Sequence, residues 1–172
     1  ANKTILLLSL FATACSESNT IDLRIGAGHP AGPAVYATQM RDFFVPEVTR
    51  RVVAETGHEI NFIEGYGGSI AKVAETLEAV EAGILDIGAY CVCFEPSKLF
   101  LHNFSYFVPF GPRDSVQAIQ VARRIYDAHP WLHEQLGQSY KQELLALNGW
   151  DNYHLGTVMP WNSIDELQGV KI

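Results

Sequence analysis

From Asp22 to Tyr90 the apolar residues change their spacing four times, and this alternation constrains the fold more tightly than any other feature of the chain. Asp22-Leu23-Arg24-Ile25-Gly26-Ala27-Gly28 alternates polar with apolar and ends in glycine, the pattern of a strand. His29-Pro30-Ala31-Gly32-Pro33 stops it. From Ala34 to Thr56, Met40, Phe43, Phe44, Val48 and Val52 follow the spacing of a helix with one buried stripe. Pro46 must kink that helix or open a new first turn, and Gly57 supplies a stop. His58 to Glu64 alternates again. Gly65-Tyr66-Gly67-Gly68-Ser69 then turns into a helix whose Ile70, Val73, Ala74, Leu77 and Val80 share one face. Gly83 ends this helix, and Ile84 to Tyr90 reads as a third strand. Strands joined by helices rather than hairpins predict an α/β fold, because parallel neighbours need a crossover connection.

Further along, Asp114 is placed to cap a helix, with Gln117 three residues on and Val116, Ile119, Ala122 and Tyr126 facing inward. A short helix over Trp131–Leu136, a strand over Glu143–Leu147 and a capping box at Ser163-Ile164-Asp165-Glu166 follow. Asp165 to Ile172 reads as a helical turn leading into a strand that has only begun, the expectation for a truncated chain. With 48% hydrophobic residues the chain can bury a core and is not of the disordered class. Its 12 Lys and Arg against 19 Asp and Glu, net −7, argue against nucleic acid as a partner, because phosphate binding depends on clustered cations.

Thr4 to Ala14 carries no charge, follows Lys3 and runs into Cys15 and a polar stretch, the layout of a secretory signal. The run is too short to cross a bilayer as a helix, which takes about 20 residues. Ala12-Thr13-Ala14 before Cys15 resembles the lipobox of bacterial lipoproteins, although Leu is usual where Ala12 stands. Export is expected, with either a lipid on Cys15 or cleavage nearby. Residues 1–15 are then the secretory or lipoprotein signal, 16–21 a linker and 22–172 the N-terminal part of a truncated mature chain.

Several constellations bear on chemistry. Gly65-Tyr66-Gly67-Gly68 matches neither phosphate-binding glycine motif, so a tight turn beside a ligand cleft fits better than a nucleotide site. Cys91-Val92-Cys93 follows the third strand, where α/β sheets place ligands. The pair is open to three readings: a disulfide, two thiols lining a cleft, or half a metal site that lacks a second cysteine pair. Among the six histidines, His29 and His154 stand in loops beside strand ends, while His102, His129 and His133 lie in or beside helical segments. The segment from Phe94 to Phe110 is dense in phenylalanine with Lys98 as its single cation, which suits a core and a cleft wall better than base stacking. Trp150-Asp151-Asn152-Tyr153-His154 gathers five hydrogen-bonding side chains after a strand, the material of ligand recognition.

In order, the signal-like segment, LRIGAGHPAGP, a long amphipathic helix, INFIEGYGGSIAKVAETLEAVEAGILDIG, FVPFGPRDS and NSIDELQGVKI are similar to the solute-binding subunits of tripartite ATP-independent periplasmic (TRAP) transporters of the dicarboxylate-binding type. The resemblance covers Ile21 to Ile172, and its most specific pieces are Leu77–Gly88, Val108-Pro109-Phe110 and Asp165–Ile172. It implies a periplasmic-binding-protein-like (type II) α/β domain, with a mixed, mainly parallel sheet flanked by helices and the second domain largely missing. It also implies a periplasmic transport protein with no enzymatic step and no cofactor, which closes on a small organic acid and delivers it to the TRAP membrane permease. The ligand wall expected from it comprises His29, Tyr66, Tyr90, Cys91, Phe94, Trp150, Asp151, Asn152, Tyr153 and His154. Many relatives offer an arginine where Asp151 and Asn152 stand, so a carboxylate clamp there needs another donor. The rival reading is an exported enzyme using Cys91 or Cys93 with His29 or His154.

Overall fold

The computed structural model describes residues 20–108, 111–149 and 155–171. The chain divides into two compact units, one ending at Tyr90 and the other beginning at Cys91.

The first unit is built on β1 (Thr20–Ala27), which pairs in parallel with β2 (Glu59–Gly65) on one side and β3 (Ile87–Ala89) on the other. Ile25, Gly26 and Ala27 pair with Ile87, Gly88 and Ala89 of β3, and Gly26 also pairs with Gly65 of β2. The close approach at this crossing requires glycine: a Cβ on Gly26 would strike the carbonyl of Gly65, and one on Gly28 the backbone of Val73. Ile25, Ala27, Ala34, Tyr36, Ala37 and Met40 form the buried core, with Phe44, Phe62 and Ile87 packed against it. The chain is α/β, with an open three-stranded parallel sheet among the described residues and helices beside it.

Pro46 has the effect expected of a residue with no amide hydrogen. The helix runs as α1 (Val35–Gln39), widens into a π-turn over Met40–Phe44 and resumes as α2 (Val45–Thr56), with Pro46 in the first turn of the new segment. Gly57 closes α2 in the left-handed conformation, φ 72°, with its amide on Val53 O at 3.1 Å. The extra residue in the π-turn rotates Phe43 outward, so this predicted core residue is 62% exposed.

The second predicted helix starts late. Residues 65–71 are held out of helical conformation, and α3 covers only Thr76–Glu81 after a 3₁₀ turn at Val73–Glu75. Ile70 lies over Gly65, while the Glu75 carboxylate reaches back to the Lys72 amide at 3.2 Å and starts the helix there. Ile84 and Leu85 give their amides to Ala79 O at 2.8 and 3.0 Å, wrapping the end of α3 instead of lengthening β3. Arg24 and Asp86 then fix β3 against β1 through a two-pronged ion pair, both contacts at 2.9 Å.

In the second unit, α4 (Ser115–Ala128) begins where Asp114 accepts the Gln117 amide at 2.9 Å, and α5 (Trp131–Tyr140) runs a turn beyond the predicted stretch. Tyr126 is buried as expected, but Val116 is 59% exposed. The aromatic segment is not the expected core. Phe94, Phe100, Tyr106 and Phe107 are exposed, with the Phe100 and Phe107 rings tilted against each other at 4.8 Å, while Leu99, His102 and Asn103 go inside. No ladder forms over Glu143–Leu147, which finds no strand to pair with among the described residues. At Ser163 the side chain makes no cap bond, and Glu166 accepts the Asn162 amide instead at 3.2 Å. Among the described residues no helix is long and apolar enough to cross a membrane.

Candidate functional site

His29, Tyr66 and Tyr90 each follow the carboxyl end of one of the three adjacent parallel strands. Parallel α/β sheets present their ligand-facing loops at that end. Two backbone bonds tie the first two loops together: the Gly67 amide donates to His29 O at 3.0 Å and the Gly68 amide to Ala27 O at 3.5 Å. Gly67 and Gly68 both have positive φ, 68° and 79°, which glycine alone adopts at little cost. Their amides are spent on the neighbouring loop, so this turn holds the site in place and does not cradle an anion itself.

His29 Nδ1 shares a hydrogen bond with the hydroxyl of Tyr36, and the rings meet edge to face at 5.8 Å. Burial pushes the Tyr36 phenol up from its usual range, which keeps a proton available in this bond. Tyr66 is half-buried and donates to Glu64 Oε2 at 2.8 Å. Burial first, and then the Glu64 carboxylate, raise this phenol well above its ordinary value, so Tyr66 is a permanent donor at neutral pH.

Arg41 lies within electrostatic reach of both Tyr66 and Glu64. It stands in the π-turn and is paired with Asp42 at 2.6 and 3.0 Å. In the sequence no local motif links Arg41, a residue of a broken helix, to a tyrosine after the second strand. The π-turn forced by Pro46 was the available signal, since such turns are frequent at functional sites. His29, Tyr36, Tyr66 and Arg41 are neutral and cationic donors already engaged within the protein, and an anionic or hydroxylated small molecule would bind them by exchange with Glu64 and Asp42.

Cys91 and Cys93 belong to the second unit and are joined to each other by a disulfide. Of the three readings open for the pair, the bridge is the one observed, and neither sulfur is a free nucleophile in this state. Phe94, next in the chain, is 43% exposed. Trp150, Asp151, Asn152, Tyr153 and His154 lie outside the described residues, as do Cys15 and the apolar stretch before it. Among the described residues no three His, Cys, Asp or Glu side chains gather into a group that could hold a metal ion.

Sequence reasoning also missed a buried polar cluster in the second unit. His102 is 4% exposed, and its Nδ1 meets the Tyr126 hydroxyl at 2.7 Å. His133 meets the Tyr126 ring edge to face, with ring centroids 5.2 Å apart. Asn103 donates to Val92 O at 2.8 Å and to Leu99 O at 3.0 Å. Burial depresses the His102 pKa, a hydrogen bond with Gln135 opposes this in part, and nearby His133 lowers it again by a smaller amount.

No protein-family model matches the chain, and no curated protein matches it.

Proposed function

We propose that this chain is part of an extracytoplasmic solute-binding subunit of a TRAP transporter, a type II periplasmic-binding-protein-like domain that captures a small organic acid for a membrane permease. The observation that carries this reading is the placement of His29, Tyr66 and Tyr90 after the carboxyl ends of three adjacent parallel strands, with Arg41 in reach of Tyr66. The motif order from Ile21 to Ile172 supports it. In this reading a ligand carboxylate takes hydrogen bonds from Tyr66, whose hydroxyl turns to it from Glu64, and from Arg41, which exchanges Asp42 for it, while His29 and Tyr36 read a further oxygen. No bond of the ligand is broken. Arg41 thereby supplies the cation that Asp151 and Asn152 do not offer.

The test is a thermal-shift screen of the chain against mono- and dicarboxylates, keto acids and sugar acids. A ligand at one hundred times its dissociation constant adds about 2.7 kcal/mol to the folded state. Arg41→Gln and Tyr66→Phe should each weaken the responding acid about tenfold, a loss of about 1.4 kcal/mol, while the free protein still melts cooperatively. Cooperative melting with no acid shifting the midpoint sinks the assignment.

A further inference from the structure

We propose that Cys91 and Cys93 form a thiol–disulfide exchange site that takes a dithiol as its reductant. The bridge closes a loop over a single residue, Val92, with Cα atoms 5.1 Å apart. A cross-link that short removes little freedom from the unfolded chain, so it contributes least among disulfides as a staple of the fold. The turn it spans is already held by bonds that involve neither sulfur. Phe94 N donates to Cys91 O at 3.1 Å, Glu95 N to Val92 O at 3.0 Å, and the buried Asn103 side chain to Val92 O at 2.8 Å. Opening the bridge therefore leaves the two cysteines side by side and ready to close again. Both are half-exposed, which gives a second thiol access.

The sulfurs are also unequal. The Cys93 amide donates to Cys91 Sγ at 3.3 Å, so a donor already sits on the sulfur that takes charge when the bond breaks. The dithiol's thiolate attacks Cys93 Sγ, the Cys91–Cys93 bond breaks, and its electron pair leaves on Cys91. The dithiol's second thiolate then attacks the mixed disulfide and releases Cys93. Two electrons pass to the protein, both cysteines take up the protons that the dithiol gave up, and the reductant departs as a disulfide.

The experiment uses the full chain carrying Cys15→Ser, so that two cysteines remain. It is equilibrated in graded mixtures of reduced and oxidised dithiothreitol, quenched, labelled with a maleimide and weighed. Two labels should appear together without denaturant and disappear on reoxidation, while the circular dichroism stays constant and the melting temperature shifts by only a few degrees. Glutathione, a monothiol, should be trapped on Cys93. Labelling without reductant, a bridge that opens only in urea, or opening that unfolds the second unit would each overturn the proposal. Glutathione trapped mainly on Cys91 would overturn the assigned order of steps.

Discussion

Lys141 closes α5 in the left-handed conformation, φ 54°, the one non-glycine residue with positive φ among those described. Its amide and that of Gln142 reach back to Gly137 O and Leu136 O, both at 3.1 Å, so the bonds of the turn are made at the expense of a strained backbone at Lys141. Lys141→Gly should raise the unfolding free energy by about 1 kcal/mol, read from the urea midpoint. His102 works in the opposite direction. Its folded pKa lies below the ordinary value, so the unfolded chain binds the proton first as pH falls. Its contribution to stability is intact above about pH 6.5 and is lost as pH drops from there towards the depressed folded value. Urea midpoints measured from pH 7.5 down to 5 should fall across this window, and His102→Gln should flatten the fall. An unchanged slope in the variant would assign the acid sensitivity to other groups. At the exposed end of the scale, Arg50 and Arg51 hold the Glu47 carboxyl down at about 2, yet this group faces solvent and carries no comparable weight.

At the scale of elements, the beginnings of helices divide by how local their cause is. α4 starts at Asp114 because one side chain accepts one amide three residues away. Asp114→Ala should cost about 1 kcal/mol, with a matching fall in the urea midpoint. α3 also has a local start, the Glu75 carboxylate on the Lys72 amide, but the loop before it is packed against its neighbours and delays that start. The loop after β1 lies so close to Val73 that no side chain fits at Gly28, and Gly28→Ala should cost about 1–3 kcal/mol by forcing those backbones apart. The same unfolding measurement tests it, and a neutral result would mean that the two segments part freely. Hydrophobic spacing alone placed Ile70 on the helix, but Ile70 finds its buried surface over Gly65 without being helical. Phe43 shows the converse: its spacing was correct for an unbroken helix, and one residue inserted by the π-turn turned it to solvent.

At the scale of the whole molecule, the chain changes units between Tyr90 and Cys91, immediately after the third strand. Hydrogen exchange should resolve two cooperative blocks that meet at this point, with β1 the slowest segment of the first because it is bonded on both sides. A single exchange block would contradict the division.

The strands β1 and β2, the break at Pro46, the stop at Gly57 and the cap at Asp114 were legible in the sequence, because each is caused by residues within a few positions of one another. The grouping of His29, Tyr66 and Tyr90 was legible in part, since parallel strands bring their carboxyl ends together whatever their loops contain. Arg41, the His102–Tyr126 pair and the use of the Gly67 and Gly68 amides were not. Each depends on a partner that only the folded chain brings within hydrogen-bonding or electrostatic reach. The Cys91–Cys93 bridge lies between these cases, since spacing allowed bridge, thiols and half a metal site alike. Local chemistry thus determined β1, β2, the break at Pro46 and the cap of α4, while tertiary packing decided whether Glu143–Leu147 found a partner, which faces were buried and which polar groups met. The physical reason is that burial and electrostatic coupling depend on distance in space, and sequence separation sets that distance only across a turn or two.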